Sequence, residues 1–301
     1  MSAAAKIIAV VVIYQPDALA LGALLQALAR LDSLAQVVIV DNGCDTALRG
    51  SVQAQFPATT WLQQTHNIGL ASGLNTGIRH ALAEQASHVL LFDQDSLPAS
   101  DMLQQLLAAE QTLLARGIKL AALGPMYVNG PDQQIAPIIG PERFFSKRKY
   151  QADFDGLIEA GYLITSGQLI TRASLQAVGL MRDDLFIDAI DIEWGLRARK
   201  CAYFSFAVCA AHMQHHLGDS QTQIGQRQIA LHSPLRHYYI IRNSLLLLQS
   251  ADINWRWKCG DLFKTLRRLI LYPLLCSHPW AHIRAMSQGV WDGLRGKAGP
   301  R

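Results

Sequence analysis

The chain has 301 residues, half of them apolar, so it can bury a full hydrophobic core, and extensive disorder is excluded. Its five cysteines include no Cys-x-x-Cys pair, which excludes a zinc ribbon or a disulfide framework and favours a reducing compartment. The formal net charge is +4, but residues 252–301 alone hold nine Lys or Arg and three Asp. The rest of the chain is therefore net acidic, which argues against nucleic-acid binding by the body of the protein.

The N-terminus superficially resembles a signal peptide, because Lys6 precedes an apolar run at residues 7–13. No small-residue cleavage site follows this run, and the segment from Tyr14 to Asp17 is typical of a strand-to-helix loop, so we expect no export. No apolar run approaches the roughly 20 residues that a membrane-spanning helix requires. The predicted location is the cytoplasm, with any contact at the inner face of the cell membrane being peripheral.

Apolar, β-branched runs alternate with helical periodicity through the first half of the chain. The pattern predicts strands at residues 7–13, 37–40, 59–62 and 88–92 and helices at 17–30, 71–86 and 100–116. Further on it predicts loops and small strands at 121–168, a helix at 191–201, a strand pair at 203–206 and 210–214, and then helices to the end. The order predicts an α/β fold, a mostly parallel sheet flanked by helices. We expect a catalytic domain at 1–225 and a basic, amphipathic helical extension at 226–301.

The ends of the first two predicted strands differ from those of nicotinamide enzymes. No glycine-rich turn follows the first strand, so the dinucleotide-binding fingerprint is missing from its required place. The second strand ends in Asp41-Asn42-Gly43, at the edge where parallel sheets bind ligands. The carboxylate and amide there are suited to accept a hydrogen bond from a pyrimidine imide. The alternative interpretation is an ordinary turn.

A glycine-rich segment, residues 67–77, opens the helix before the fourth strand. Small residues at a helix start leave backbone N–H groups accessible to an anionic ligand. Glycines are costly in a helix unless something approaches closely, which favours a role in binding. The alternative is close packing of this helix on the sheet.

An apolar strand delivers two carboxylates, Asp93 and Asp95, separated by one residue. Two acids at the mouth of a sheet repel each other unless a cation lies between them, and hard oxygen ligands suit Mg²⁺ or Mn²⁺. Such an ion would bridge diphosphate oxygens and stabilise charge on a leaving group. The sequence therefore predicts a metal site here.

Three further carboxylates, Asp188, Asp191 and Glu193, surround the start of the helix predicted at 191–201. One of them is a candidate general base for an acceptor hydroxyl. The alternative is favourable interaction with the helix dipole, without a chemical role. His215 and His216 follow a strand and are either structural or ligands that complete the metal site.

Taken in this order, the segments resemble the family 2 inverting glycosyltransferases with the GT-A fold, and specifically the bacterial rhamnosyltransferases that use dTDP-L-rhamnose. The similarity covers about the first 245 residues. It implies that Tyr14 and Asp41 bind the nucleoside and that Asp93 and Asp95 bind metal, Asp95 more closely. It also implies contacts around the donor from Asn67, Gly69, Gly73, Asn75, Ser166 and Gly167, and closure over metal and diphosphate by Arg242, Asn243 and either His215 or His216.

The family's acidic pair before a tryptophan-containing helix is usually Glu-Asp, whereas this chain has Ile190-Asp191. We therefore expect Asp191 to be the general base, with Asp188 in reserve. The resemblance implies a single in-line displacement with inversion, which moves L-rhamnose from dTDP-L-rhamnose to a saccharide or lipid-linked saccharide acceptor. The expected cofactor is Mg²⁺ or Mn²⁺, and the expected context is synthesis of O antigen or a related polysaccharide.

Near the C-terminus, residues 255–272 carry apolar side chains at helical spacing and five Lys or Arg on much of the remaining surface. A basic amphipathic helix is typical of an element that lies on a membrane surface. The alternative is a helix whose apolar stripe packs on the catalytic domain and whose basic face is solvated.

Three other functions fit parts of the pattern. A glycosyltransferase with a different nucleotide-sugar donor would carry the same motifs. Asp93-Gln94-Asp95 also resembles the nucleophile motif of haloacid-dehalogenase-type phosphatases, in which Asp93 would attack phosphate, although that motif normally lies on the first strand. The departure at Ile190 leaves a non-catalytic nucleotide-sugar-binding protein of the same fold as the third.

Overall fold

The N-terminal half of the chain forms a parallel sheet by alternating strands and helices. The computed structural model describes residues 5–129, 134–141, 148–214, 220–224 and 227–301. The first elements are β1 (Ile7–Ile13), α1 (Ala18–Leu28), β2 (Leu34–Asp41), α2 (Thr46–Gln55), β3 (Thr60–Gln63), α3 (Leu70–Ala83) and β4 (His88–Asp93). The strands pair in parallel in the order β3-β2-β1-β4, and β1 is buried along its whole length. This confirms the predicted series, to which the structure adds α2.

The following segment extends the same sheet beyond β4. Its elements are β5 (Leu97–Pro98), α4 (Met102–Ala115), β6 (Leu120–Asn129), β7 (Gln134–Ile135), β8 (Ile138–Ile139), β9 (Arg148–Lys149), β10 (Leu157–Ala160), β11 (Gln168–Thr171), α5 (Arg172–Val178), a 3₁₀ turn at Asp183–Leu185, α6 (Ile190–Lys200) and β12 (Phe204–Gln214). The sheet continues from β4 through β11, β6 and β12 to β10. Among the strands that the structure describes in this part of the sheet, only β6 and β12 pair in parallel.

One prediction for this second half is incomplete and another is wrong. The region 121–168 holds the predicted small strands, β7 to β10, but also all except the first residue of the ten-residue strand β6, which lies inside the sheet between β11 and β12. The strand pair predicted at 203–206 and 210–214 is a single strand, β12, with a shift of register against β6 between Val208 and His212. The shift interrupts the regular alternation of side chains, which is why the sequence indicated two strands.

Helix α3 lies unusually close to β1 because glycines face the strand. A methyl group on Gly77 would come within 2.2 Å of Val10 Cγ1, and one on Gly73 within 2.8 Å of Val12 Cγ1. Any larger residue would push the helix away from the sheet. Close packing, the alternative considered for the glycine-rich segment, therefore accounts for Gly73 and Gly77.

The C-terminal part consists of a hairpin, β13 (Ser220–Ile224) and β14 (Arg227–Leu231), followed by α7 (Pro234–Gln249), α8 (Trp255–Leu275) and α9 (Pro279–Leu294). Helix α7 packs on α9 and, to a smaller extent, on α8. In the described ranges, no helix is both long and apolar enough to cross a bilayer. The domain boundary at residue 225 stays a prediction.

A buried histidine pair joins α7 to α9. The Nδ1 atoms of His237 and His282 lie 2.8 Å apart, and the ring of Tyr272 stacks on His237 with 4.2 Å between centroids. Burial, reinforced by His282, lowers the pKa of His237 to about 4. The pair is therefore neutral near pH 7 and forms a polar contact between the two helices.

Candidate functional site

A cleft of about 530 Å³ opens where β1 and β4 end, facing the loop before α6. Seven of the predicted site residues line it: Tyr14, Asn67, Gly69, Asp93, Asp95, Asp188 and Asp191. Four of these are carboxylates, and Arg236 supplies a cation to the same lining. The cleft therefore contains carboxylates that could bind a divalent cation, an arginine that could pair with a diphosphate, and a carboxylate that could accept a proton.

Asp93, at the end of β4, and Asp95 both lie in the cleft, and the side chain of Gln94 between them connects two loops. Gln94 accepts a hydrogen bond from Tyr14 N at 2.8 Å and donates one to Tyr14 O at 3.2 Å. These two bonds tie the loop after β1 to the loop after β4. Gln94 therefore fixes the position of Tyr14 relative to the two acids.

At the end of β2, Asn42 rather than Asp41 reaches the cleft. Asp41 is buried, its carboxylate accepts hydrogen bonds from Gly43 N and Cys44 N, and it pairs with Arg49 at 2.7 Å. Asn42 donates to Gly69 O at 2.9 Å, while its Oδ1 is buried without a partner among the described residues. Asp41 therefore shapes the loop, and Asn42 is the residue of this strand end that lines the cleft.

The start of α3 forms another wall of the cleft. Asn67 Oδ1 accepts a hydrogen bond from Gly69 N at 2.8 Å, which turns the chain into the helix. Gly69 has a φ of +86°, and a methyl group there would lie 2.5 Å from the ring of Phe186. Glycine is required at this position by both the backbone and the contact.

Four other predicted contact residues support the cleft from behind. Asn75 is buried and exchanges two hydrogen bonds with the backbone of Met181, at 2.8 and 2.9 Å. Ser166 is buried and accepts from Asp93 N at 3.1 Å. Gly167, with a φ of +76°, lies against Pro125, and Gly73 lies against β1. These residues position the walls of the cleft rather than line it.

The loop that carries the candidate bases has a strained backbone. Phe186, Asp188 and Ala189 have φ values of +65°, +64° and +62°. Phe186 is also the centre of a γ-turn of the rarer hand, with ψ of −61° and a 2.8 Å hydrogen bond from Ile187 N to Leu185 O. Such conformations persist only where surrounding contacts enforce them, and they cluster at functional sites.

Arg242 and Asn243 enforce this conformation, which corrects their predicted place over the metal and diphosphate. Both are fully buried in α7. Asn243 Nδ2 donates to the carbonyl oxygens of Leu185, Ile187 and Asp188 at 3.0, 2.7 and 3.0 Å. Arg242 donates to Leu185 O at 2.9 Å and to Asn243 Oδ1. The guanidinium donors are used by backbone carbonyls and by the Asn243 side chain, and Arg242 does not line the cleft.

The two candidate bases have different environments. Asp188 pairs with Arg236 at 3.2 Å, and burial raises its pKa against the opposing effect of that arginine. Burial also raises the pKa of Asp191, to about 7, with smaller contributions from the charges of Asp188 and Asp93 and an opposing hydrogen bond from Ile192 N. The carboxylate of Asp191 is therefore suited to proton transfer near neutral pH.

Glu193, the third acid of this segment, has a structural role. It is buried and pairs with Arg197 at 2.8 Å along α6. Arg197 also donates to the carbonyl oxygens of Val178 and Leu180. His215 and His216, the remaining predicted ligands, lie outside the described residues.

Some residues of the cleft were given no role from the sequence: Gln94, Phe186 and Arg236. Gln94 lies within the Asp93–Asp95 motif, so its strand-end position was a usable signal. Arg236 and Phe186 have no such signal. They reach the cleft only because α7 packs beneath the loop before α6.

Comparison with known proteins agrees with this geometry. The family model described as "Glycosyl transferase family 2" matches residues 9–178. The "dTDP-rhamnosyl transferase RfbF" of Shigella flexneri is 26% identical over 295 residues, which are 98% of this chain and 97% of RfbF. The "Galactofuranosyltransferase GlfT1" of Mycobacterium tuberculosis is 33% identical over 166 residues, 52% of each chain.

Solved structures confirm the fold. TarS 1-349 of S. aureus, in complex with UDP-GlcNAc, matches with a TM-score of 0.61 and 15% identity over 97% of this chain and 81% of TarS 1-349. The mannosyltransferase PcManGT from Pyrobaculum calidifontis, in complex with GDP-Man and Mn²⁺, matches with a TM-score of 0.56 and 17% identity over 96% and 74%. The predicted GT-A architecture, a mostly parallel sheet flanked by helices with C-terminal helices added, is therefore confirmed.

Proposed function

Because the chain belongs to glycosyl transferase family 2, we propose that it transfers L-rhamnose from dTDP-L-rhamnose to a saccharide or lipid-linked saccharide of a surface polysaccharide such as O antigen. The observation that carries the proposal is the single cleft that collects Asp93, Asp95 and Asp191 at the carboxyl end of a parallel sheet. The choice of donor is supported by similarity to RfbF over nearly the whole chain. The proposed place of action is the cytoplasm, at the inner face of the membrane.

The nucleoside lies, in this proposal, between Tyr14 and Asn42. The ring of Tyr14 is half exposed at the cleft and rests over Gly43, where a methyl group would come within 3.2 Å of it. Asn42 Oδ1 is a buried acceptor without a partner among the described residues, and a thymine imide N–H would satisfy it. Of the carboxylate and the amide that the sequence offered for base recognition, this proposal uses the amide, and the resemblance-based role of Asp41 is not needed.

Asp93 and Asp95 are the residues that would hold Mg²⁺ or Mn²⁺. These residues fit such a cation because carboxylate oxygens are hard ligands. Asp93 also lies close enough to Asp191 for its negative charge to raise the pKa of Asp191. When bound, the cation would neutralise charge that develops on the diphosphate. Arg236 lines the same cleft and adds a fixed positive charge toward that leaving group.

Asp191 is the proposed base. Its carboxylate takes the proton of the acceptor hydroxyl as that oxygen forms a bond to the anomeric carbon, and the bond from this carbon to the diphosphate breaks. The nucleoside diphosphate leaves with the bonding electrons, and the anomeric configuration inverts. One carboxylate is sufficient for this displacement, so the replacement of the usual neighbouring acid by Ile190 is compatible with activity.

The first test is calorimetric binding of dTDP-L-rhamnose, with UDP- and GDP-sugars alongside, in the presence and absence of Mn²⁺. We expect metal-dependent binding that prefers the thymidine donor and weakens more than about ten-fold in Asp95→Ala. Asp101→Ala is the matched control, because Asp101 is exposed at the start of α4 and does not line the cleft. Failure to bind any nucleotide sugar would overturn the proposed function.

The second test concerns turnover. Inversion predicts a product whose anomeric configuration is opposite to that of the donor, and a retained configuration would exclude Asp191 as the base of a single displacement. Tight donor binding without transfer or donor hydrolysis would identify a non-catalytic binding protein. The phosphatase alternative has lost its support, because Asp93 ends the fourth strand rather than the first and the family model covers that segment.

A further inference from the structure

Helix α8 presents its apolar side to solvent and its more polar side to the protein. Leu262, Leu266, Ile270 and Leu274 are exposed, the last two by 65% and 75%. The residues that α8 buries are Trp257, Gly260, Asp261 and Thr265. Asp261 and Thr265 both hydrogen-bond Ser244 of α7. Helix α8 therefore packs on the protein with its basic residues at least partly exposed, as one interpretation expected, but its apolar stripe faces solvent.

Helix α9 likewise exposes large apolar residues and buries smaller or more polar ones. Trp280 is 80% exposed, and Trp291 and Leu294 are exposed by more than half. The buried side of α9 consists largely of small or polar residues, His282, Ala285, Gly289 and Asp292 among them. Exposed tryptophans on a helix are unusual in a monomeric protein and mark surfaces that another phase or molecule covers.

The exposed surface of these two helices is cationic. Arg256, Arg267, Arg284 and Arg295 are all exposed. The acids of α8 and α9, Asp261 and Asp292, are buried, and both form hydrogen bonds with α7. Positive charge therefore accompanies the apolar stripes without neighbouring negative charge from the same helices.

We propose that α8 and α9 form a docking surface for an anionic lipid bilayer. Aliphatic stripes bury in the acyl boundary, tryptophans lie at the level of the headgroups, and arginines pair with anionic headgroups. A second copy of the chain is a poorer occupant, because two such cationic surfaces repel each other. Charge complementarity thus selects the lipid surface over self-association.

The surface also narrows the acceptor. Given the proposed function, a protein held on the inner leaflet meets acceptors attached to lipid rather than free sugars, which favours the lipid-linked class. The docking itself does not depend on the transfer reaction. Failure of one proposal is therefore distinguishable from failure of the other.

The test is co-sedimentation of the full chain with phosphatidylglycerol vesicles and with phosphatidylcholine vesicles. We expect binding to phosphatidylglycerol that weakens with salt, and little binding to phosphatidylcholine. The double variant Ile270→Glu/Leu274→Glu should lose at least about ten-fold in apparent vesicle affinity. Leu19→Glu is the matched control, because Leu19 is 84% exposed on α1, away from these helices, and its replacement should leave vesicle binding unchanged.

Calorimetric binding of dTDP-L-rhamnose should be equal in the wild type, the double variant and the control, which separates docking from the donor site. Equal sedimentation of the wild type and the double variant would overturn the proposal. So would equal binding to both vesicle types. A wild-type dimer that the double variant converts to a monomer would identify a second copy as the occupant and would also overturn it.

Discussion

Replacing Asn243 by alanine should disable catalysis without removing the donor site. Asn243 Nδ2 lies 2.7 to 3.0 Å from three carbonyl oxygens of the loop that carries Asp188 and Asp191, and its two N–H groups cannot be replaced by water in a fully buried position. Loss of buried hydrogen bonds costs about 1–3 kcal/mol for each acceptor left unsatisfied. Two such losses amount to about 2–6 kcal/mol against the observed loop conformation.

The strained backbone of the loop increases the effect of losing these hydrogen bonds. Phe186, Asp188 and Ala189 each hold a left-handed conformation that costs about 1–3 kcal/mol. Without Asn243 the loop relaxes toward ordinary conformations, and Asp191 moves from its place opposite Asp93. Since about 1.4 kcal/mol corresponds to a factor of ten, we expect kcat to fall by about 100-fold.

Steady-state kinetics with dTDP-L-rhamnose and calorimetric donor binding are the assays. The KM and Kd for the donor should change by less than about three-fold, because Asp93, Asp95 and Asn42 belong to other elements. Ser244→Ala is the matched control: Ser244 is the next residue of α7 and bonds Asp261 and Thr265 rather than the loop. If Asn243→Ala lowers the melting temperature as Ser244→Ala does but leaves kcat unchanged, Asn243 has no positioning role.

Three further predictions concern pH, packing and the histidine pair. Burial, then the charge of Asp188 and that of Asp93, raises the pKa of Asp191 to about 7, so kcat/KM should rise with pH up to that value and then level off. Asp188→Asn should shift this rise to lower pH, whereas loss of all activity in Asp188→Asn would make Asp188 the base instead. Gly77→Ala should destabilise by about 1–3 kcal/mol in chemical denaturation through its clash with Val10, whereas Gly22→Ala, with open space around it in α1, should stabilise by up to about 1 kcal/mol. The pKa of His237 is about 4 in the fold and about 6.5 in the unfolded chain, so the unfolded state binds more protons than the folded state between these pH values. The melting temperature should therefore fall as pH drops from 7 toward 4, and it should fall less steeply in the variant His237→Gln.

The strand-end acids could be predicted from sequence because their placement follows a local rule. Asp93 ends β4, a run of buried apolar residues, and the carboxyl ends of neighbouring parallel strands meet at one edge. The same rule placed Asn42 and Tyr14 near the cleft. It could not decide between Asp41 and Asn42, because that choice depends on Arg49 of α2, a helix that the sequence analysis missed.

The loop before α6 could not be predicted, since nothing in its composition indicates strain. Phe186 to Asp191 contains no glycine, although three of its residues have positive φ. The conformation comes from Asn243, more than fifty residues further along the chain. The family resemblance implied a place for Arg242 over the diphosphate, and only the packing of α7 shows that its donors are used by carbonyl groups.

Periodicity identified α8 as an amphipathic helix but did not determine which side faces the protein. Burial of apolar residues is the usual outcome, so packing was a reasonable alternative. The structure reverses it, because Ser244 of α7 offers a polar partner to Asp261 and Thr265. Hydrogen bonds among three side chains thus orient the helix. Because these residues belong to distant segments, the residue spacing within each segment does not reveal the hydrogen bonds between them.

The residues that follow the proposed lipid surface contact both α7, which holds the base loop, and the segment before that loop, and this determines how the two roles must be separated. Arg242 donates to Gly299 O, Gly299 N donates to Asp184 O at 2.6 Å, and Arg301 N donates to Tyr239 of α7 at 2.8 Å. Removing residues 252–301 would therefore release the loop as well as the exposed stripes. A truncated chain would lose vesicle binding and turnover together, whether or not either depends on the other. Point variants on exposed positions, such as Ile270→Glu/Leu274→Glu, leave these contacts intact, so a change in transfer to a lipid-linked acceptor in them would result from docking alone.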